Sequence, residues 1–276
     1  YEKGSKYYAL STASLVITPA LVVLPNTLTS LGNYAFGYCD NLKELRIYAA
    51  DDETTSIIGK YAFTDNTALD TVQMDFITII PEGMFYNCDK LVRINNTEIG
   101  NKDVFGYVIK SIGIGAFYDS DALLNPFTES VSLTSRITYI GAGAFCGIDL
   151  MGGVDGTNNA IKYTIYLPQG LVSLGVSDGG SYGTSTHEYV ARNAGAFENV
   201  NNVEKLYIYA DVTAIGARAF AYCTELTEIY SLSEAASSYM FYGCTGLVNN
   251  TFVETTDEIP NSSKVYYTKD ASNRYI

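Results

Sequence analysis

The sequence has few of the features that nucleic-acid-binding and membrane-attached proteins need. Its 276 residues include 17 basic side chains against 30 acidic ones, for a formal net charge of −13. Nucleic acids are bound through lysine and arginine at the phosphates, and anionic lipid headgroups attract the same side chains. We therefore expect no nucleic-acid partner and no electrostatic hold on a membrane.

Long apolar runs are also missing. The most apolar stretch, residues 15–24, is about half the ~20 residues that a transmembrane helix needs, and it contains Pro19. We predict no membrane span. Lys3 and Lys6 precede this run as they would in a signal peptide, but its serine, threonine and proline residues favour a strand. We expect the chain to begin downstream of a removed or omitted leader.

The residues that usually carry catalysis are scarce, because there is one histidine and no C-x-x-C pair. Ser185 and Glu188 lie beside His187, but closeness in sequence does not make a catalytic triad. We interpret His187 as a surface loop residue. Without paired cysteines the sequence offers no zinc site. We predict a protein that is not an enzyme and carries no cofactor.

The sequence does contain a phrase that recurs along the chain and ends in Ala-Phe or Met-Phe. Copies include LTSLGNYAFGYC (28–39), ITIIPEGMFYNC (77–88), ITYIGAGAF (137–145) and TAIGARAFAYC (213–223). Intervals of 21 to 52 residues separate the anchoring phenylalanines, which are Phe36, Phe63, Phe85, Phe117, Phe145, Phe197, Phe220 and Phe241. Such repeats predict a solenoid, because each unit buries its apolar side only against its neighbours.

Two internal ladders follow from this pattern. We expect the eight anchoring phenylalanines to form the first ladder. The strand-like phrases after the copies, such as LKELRIY (42–48), should supply the other through Leu45, Val72, Ile94, Leu206 and Ile229. A glycine stands four residues before several phenylalanines, at Gly32, Gly59, Gly113, Gly141 and Gly216. We predict that these glycines supply the tight bend of each unit.

The pattern L-x-x-I-G-x-x-A-F-x-x-C-x-x-L-x-x-I resembles BspA-type leucine-rich repeats, nearly position for position at residues 28–45 and 214–229. The resemblance implies a repeat solenoid, a right-handed superhelix of short β-strands with irregular or short helical turns and about eight repeats. We predict a single domain over residues 1–276. It has a β-rich edge at 1–24, repeats at 24–250 with insertions near 147–160 and 175–193, and a C-terminal strand or cap at 251–276.

Four cysteines share one position in the repeat. Cys39, Cys88, Cys223 and Cys244 each follow an anchoring phenylalanine by three residues, and Cys146 follows one directly. Residues in register point the same way, so we predict a ladder of buried free thiols. A disulfide between Cys223 and Cys244 is the alternative, although side chains stacked in register rarely meet its geometry.

The two insertions combine glycine with aspartate. Asp149, Asp155 and Asp178 could ligate calcium, but the EF-hand spacing and its terminal glutamate are missing. Flexible insertions are the other interpretation. Because loops added to a regular scaffold often carry function, the insertions are also candidates for a binding role.

The strand phrases offer the main candidate for a binding surface, since an extended surface is what solenoids present. The outward positions that we select are Arg46, Tyr48, Gln73, Arg93, Tyr166, Tyr207, Tyr209, Glu228 and Tyr230. Tyrosine suits recognition because it combines rigid contact area with a hydroxyl group. The alternative is that these tyrosines are present because they favour strands.

The resemblance implies a cell-surface or secreted adhesion module that binds an extracellular protein or a glycan. A structural subunit of an extracellular filament or coat is the alternative. Residues 1–24 favour it, because they are apolar and β-prone and would form a poor edge to leave open. Self-association through that edge would then be expected.

Overall fold

The structure is a computed structural model that describes residues 16–18, 20–48, 58–75, 77–96, 102–103, 109–123, 135–149, 162–177, 186–233 and 235–247. This part of the chain is rich in strands and poor in helix. It contains one α-helix, α1 (Thr186–Asn193), and a short 3-10 helix (Thr245–Leu247). All other regular elements in it are strands of two to six residues.

The strands, numbered in chain order, form three sheets in which most neighbours are parallel. Sheet 1 has the order β1 (Val16–Thr18), β2 (Leu21–Leu24), β3 (Glu44–Tyr48), β4 (Thr71–Asp75), β6 (Arg93–Asn96) and β7 (Lys102–Asp103). Sheet 2 contains β10 (Tyr163–Tyr166), β12 (Val203–Ile208) and β14 (Glu228–Ser231). Sheet 3 contains β5 (Ile79–Ile80), β8 (Ser111–Ile112), β9 (Tyr139–Gly141), β11 (Ser173–Val176) and β13 (Ala214–Ile215).

Register in sheets 1 and 2 places equivalent repeat residues side by side. Leu45 pairs with Val72, and Val72 with Ile94. Leu206 pairs with Ile229 in the same way. Successive side chains of a strand point to opposite faces, so these residues share the inner face. The predicted second ladder is confirmed in two separate parts, one in sheet 1 and one in sheet 2, and its members are buried except for the half-buried Ile229.

The eight anchoring phenylalanines form one continuous internal stack. Ring centroids of consecutive members lie 5.1 to 6.1 Å apart, with interplanar angles of 2 to 22°. Backbone hydrogen bonds join the turns in the same order as the rings. The Phe63 amide donates to the Met84 carbonyl at 3.1 Å, and the Phe85 amide donates to the Ala116 carbonyl at 2.8 Å. Each bond joins one turn to the residue just before the next phenylalanine, which confirms the predicted first ladder.

The tight bend lies in a different place from the one predicted. Two positions take the left-handed conformation in almost every described copy, namely the residues two before and two after the phenylalanine. Around Phe63 they are Tyr61 (φ 55°) and Asp65 (φ 57°), and around Phe85 they are Gly83 (φ 60°) and Asn87 (φ 56°). The glycines four residues before the phenylalanine do not have positive φ. Predicting the bend there was wrong.

Those glycines instead allow the backbones of successive turns to touch. A Cβ placed on Gly113 would lie 2.5 Å from the Glu82 amide nitrogen, and one placed on Gly141 would lie 2.6 Å from the Ile114 amide nitrogen. Real side chains do not tolerate such distances, so any larger residue would push the turns apart. Gly32 holds the same position in the first copy, but a Cβ there would meet nothing within 4 Å.

The side chain three residues after each phenylalanine links its turn to the preceding one. It donates a hydrogen bond to the carbonyl of the preceding anchoring phenylalanine at 2.7 to 3.3 Å in the copies with Asn66, Cys88, Ser120, Cys223 and Cys244. Burial raises the pKa of the Cys88 thiol, which keeps it protonated as this role requires. Asn66 and Ser120 supply the donor in two of the copies that lack cysteine, whereas the copies of Phe145 and Phe197 carry the apolar Ile148 and Val200 at this position.

Burial as a free thiol, as predicted, is confirmed for four of the five cysteines. Cys88, Cys146, Cys223 and Cys244 are buried free thiols, whereas Cys39 is an exposed free thiol. Among the described residues no phenylalanine-centred turn precedes Phe36, so the Cys39 side chain has no such carbonyl to meet. Burial of Cys39 was a wrong prediction.

The copy that ends at Phe197 is interrupted. Its first half lies in β11, and its second half resumes at Gly195, directly after helix α1. The Phe145 and Phe197 rings nevertheless stack at 5.1 Å. The interruption leaves the spacing of the ring stack unchanged, and it accounts for part of the longest interval in the sequence.

We predict that Gly113→Ala lowers the free energy of unfolding by about 1–3 kcal/mol, because the new methyl group would press on the backbone of the preceding turn. Gly32→Ala is the matched control and should leave stability unchanged or slightly higher, since the space around it is open and its φ is not positive. Denaturant unfolding followed by circular dichroism measures both. Equal losses in the two variants would contradict this role for the glycines.

Candidate functional site

The candidate surface residues fall into two groups on different sheets. Arg46, Tyr48, Gln73 and Arg93 belong to sheet 1, where the Arg93 side chain lies outside what the structure describes. Tyr166, Tyr207, Glu228 and Tyr230 belong to sheet 2, and Tyr209 follows directly after β12. The described side chains among them are half-buried, as expected for residues on the outer face of a sheet.

Sheet 2 brings three of the tyrosines together in a stack, here called the tyrosine ladder (Tyr166, Tyr207 and Tyr230). The strands pair these residues directly. Ring centroids of Tyr166 and Tyr207 lie 4.5 Å apart at 16°, and those of Tyr207 and Tyr230 lie 4.4 Å apart at 12°. Because each ring covers the face of its neighbour, the ladder offers ring edges and hydroxyl groups to a partner.

Charged side chains are fixed at one end of the tyrosine ladder. The Tyr230 hydroxyl donates to Glu228 Oε2 at 2.5 Å, and Lys205 Nζ lies 3.0 Å from Glu228 Oε1. The hydrogen bond from Tyr230, followed by the contact with Lys205, lowers the pKa of Glu228. The same hydrogen bond raises the pKa of Tyr230. At neutral pH the site therefore holds an ionised carboxylate between an ammonium group and a protonated phenol.

A second ion pair borders this face. Lys162, just before β10, contacts Glu225, whose Oε2 also accepts a hydrogen bond from the Asn202 amide at 3.1 Å. The outer face of sheet 2 thus combines aromatic edges with two lysines and two glutamates. Mixed chemistry of this kind can meet polar and apolar groups of a partner at once.

Sheet 1 presents a different surface. Arg46 pairs with Glu44 of its own strand at 2.6 Å and lies beside Gln73 of the next strand. Tyr48 lies opposite Asp75 rather than another tyrosine. This part of the candidate set is polar and has no stacked aromatic group among its described residues. The tyrosine ladder on sheet 2 is therefore the stronger candidate.

Helix α1 is a feature that the sequence prediction missed. The interpretation of His187 as a surface loop residue is wrong. His187 lies in α1, its ring centroid is 4.5 Å from that of Tyr86, and its Nε2 is 3.8 Å from Asp65 Oδ2. One signal was present in the sequence. The residue two before the phenylalanine is tyrosine in the first two copies but glycine in the next three, and the helix packs against two of these glycines, Gly115 and Gly143.

The possible calcium ligands are not brought together in the described part of the chain. The backbone of Asp149 pairs with that of Asn201 in an isolated parallel β-bridge. Asp155 and Asp178 lie outside the described residues. Within the described ranges, no group of three or more histidine, cysteine or acidic side chains could hold a metal ion. The same ranges include no helix long and apolar enough to cross a bilayer.

We predict that the Glu228 carboxyl titrates below the ordinary range of glutamate, because ionisation is favoured by Tyr230 and Lys205. Tyr230→Phe should raise this pKa by removing the larger cause, and Lys205→Met should raise it less. The associated stabilisation is present above the ordinary glutamate range and is lost as the pH falls through the lowered pKa. Carbon-13 NMR titration measures it. A Glu228 pKa that is unmoved in Tyr230→Phe would refute the assignment.

Comparison with known proteins agrees with the repeat architecture. The family model described as BspA type Leucine rich repeat region matches residues 20–150 and 187–269 in six copies. No curated protein matches the chain. Solved structures similar to it include a leucine rich cell surface protein from Faecalibacterium prausnitzii A2-165, at 15% identity and TM-score 0.32 over 89% of this chain and 82% of that one. A leucine-rich repeat protein from Bacteroides ovatus ATCC 8483 has 17% identity and TM-score 0.27 over 83% and 73%.

The family matches contain all eight anchoring phenylalanines and leave out residues 1–19, 151–186 and 270–276. Together they cover well over half of the chain. The protein belongs to the BspA-type leucine-rich repeat family.

Proposed function

We propose that this protein is a non-catalytic binding module, secreted or displayed at the cell surface, that recognises an extracellular protein or glycan through the outer face of sheet 2. The observation that carries the proposal is the tyrosine ladder of Tyr166, Tyr207 and Tyr230, stacked at 4.4 to 4.5 Å. Membership of a repeat family with an interaction role supports the same conclusion.

Rigidity of the ladder supports its use in recognition. Each tyrosine is fixed by its neighbours in the stack and by a strand whose inward residues are buried, such as Ile165 and Leu206. A side chain that is already ordered loses little conformational entropy on binding, so more of its contact energy contributes to affinity. Tyrosine is also enriched among the residues that dominate binding energy.

The wider surface extends the proposal. We propose that residues 1–276 form one domain, a right-handed superhelix of about eight repeats, which would present the outer faces of its strands as one extended surface. Arg46, Gln73 and Arg93 on sheet 1 would then contribute secondary polar contacts. Tyr209, one residue beyond β12, would extend the contact area next to the ladder.

A second candidate function is a structural subunit that assembles through its N-terminal edge. The observation that favours it is the position of β1, a three-residue strand at the outer edge of sheet 1 that pairs antiparallel with β2. Outermost strands can pair with a further strand of another molecule. Leu21 and Val23 of β2 are only half-buried and would lie near such a contact.

The test is a binding screen against immobilised extracellular-matrix proteins and glycans, followed by affinity measurement with variants. Tyr207→Ser should reduce the affinity of any partner so found by roughly 30-fold or more, as expected for a central aromatic contact worth ~2 kcal/mol. Tyr189→Ser is the matched control, since Tyr189 is an exposed tyrosine on α1 away from sheet 2. Equal affinities for Tyr207→Ser and wild type would contradict the proposal.

Light scattering on the same samples separates the two candidates. A binding module should be a monomer near the 30.1 kDa of the chain. Large assemblies that are lost in Leu21→Glu or Val23→Glu would instead favour the structural subunit, because a buried charge at that edge would prevent strand contact between molecules.

A further inference from the structure

Helix α1 makes a contact that the repeat architecture does not predict. In a stack of this kind each turn touches its immediate neighbours, so interactions join residues that are one repeat apart. The hydrogen bonds of Asn66, Cys88 and Cys223 follow that rule, with sequence separations of 30, 25 and 26 residues. Arg192 of α1, by contrast, binds Glu82, which is 110 residues away.

We propose that α1 is a mechanical clasp, which shields the chain between Glu82 and Arg192 from extension until the contact between these two residues breaks. This inference goes beyond the proposed binding role and does not depend on it. Three observations support it. They are the close packing of α1 against small residues of the repeats (the seat), the buried ion pair between Arg192 and Glu82 (the lock), and the large separation of these two residues along the chain.

The seat is formed by small residues of the central turns. A Cβ on Gly115 would lie 2.6 Å from the Ala191 Cβ, and one on Gly143 would lie 2.5 Å from the Ala191 carbonyl oxygen. Only glycine at these two positions lets the helix approach this closely. Ala191 is fully buried there, in an apolar cluster with Tyr61, Tyr86, Ile114 and Ala142 that lies outside the main core.

The lock is a buried ion pair. Arg192 Nη2 contacts both carboxylate oxygens of Glu82, at 2.8 and 3.0 Å, and the two side chains are only 3% and 6% exposed. Lys60 Nζ adds a contact to Glu82 at 2.8 Å. Removing one member of such a pair leaves the other buried without its full compensation, so the contact resists separation.

The position of this lock gives it a mechanical role. Tension applied at the two ends peels turns inward, from the N-terminal side up to Glu82 and from the C-terminal side back to Arg192. Both forces then meet at the ion pair. The partners are 110 positions apart, and the residues between them carry no load while the pair holds. Fully extended, that segment would measure roughly 360–400 Å.

Optical tweezers with handles at both ends of the full chain test the clasp. The wild type should first lose single turns in short steps, then release the shielded segment in one step of roughly 300 Å or more, allowing for the folded distance between its ends. Arg192→Ala should abolish this long step and leave only short ones. Arg218→Ala is the matched control and should keep it, because its partner Glu198 is only 20 residues away.

Each outcome decides the question. A long step in the wild type and in Arg218→Ala, but not in Arg192→Ala, establishes the clasp. A wild type that unfolds only in short steps overturns it, and so does an Arg192→Ala variant that keeps the long step. If the alanine variant does not fold, Arg192→Lys keeps the charge but weakens the contact with both oxygens. The rupture force of the long step should then fall, and an unchanged force would overturn the clasp.

Discussion

The close approach of successive backbones at a glycine in several of the turns is the constraint on which the rest of the structure depends. At Gly113 and Gly141 no side chain would fit between the turns. The amides of the seven anchoring phenylalanines from Phe36 to Phe220 lie 2.7 to 3.1 Å from a carbonyl in the next turn. The stacking of the rings at 5.1 to 6.1 Å follows from the same spacing.

The candidate binding surface is a consequence of that spacing on the opposite side of the strands. Once the inward residues are held in register, any residue type repeated at an outward position must form a ladder. Tyrosine is repeated in this way in sheet 2, at 4.4 to 4.5 Å, but not in the described part of sheet 1. The candidate binding face is therefore distinguished by its repeated tyrosines rather than by a change in the strand register.

Much of this could be predicted from the sequence because the information is local and repeated. The spacing of Phe63, Phe85 and Phe117 predicts the ring stack, and that of Leu45, Val72 and Ile94 predicts the strand register. The bend was misplaced for a physical reason. Glycine is required both where φ is positive and where another backbone approaches closely, and a sequence alone does not distinguish the two needs. The tyrosines were predicted as single surface residues, and only the pairing of β10, β12 and β14 shows that three of them stack.

Helix α1 could not be predicted in the same way, because its contacts have no period. The pairing of Arg192 with Glu82 spans 110 residues. Glu82 stands at a variable position of the recurring phrase, and Arg192 lies outside the copies of that phrase. The glycines at Gly115 and Gly143 leave a space on the outside of the stack, but the sequence does not state what fills it. Helix α1 interrupts one repeat, and its Arg192 makes a contact with Glu82 that stacking of adjacent repeats alone would not provide.

Amide hydrogen exchange on protein labelled with ¹⁵N-phenylalanine tests the central claim most directly. The chain has 12 phenylalanines. The amides of Phe36, Phe63, Phe85, Phe117, Phe145, Phe197 and Phe220 each donate to a carbonyl in the next turn. We predict that these amides exchange at least ~100-fold more slowly than an unstructured chain, as expected for hydrogen bonds that open only with the structure around them. Exchange of Phe85, Phe117 and Phe145 at the rate of an unstructured chain would contradict the account, because the stack would then not be held by its backbone.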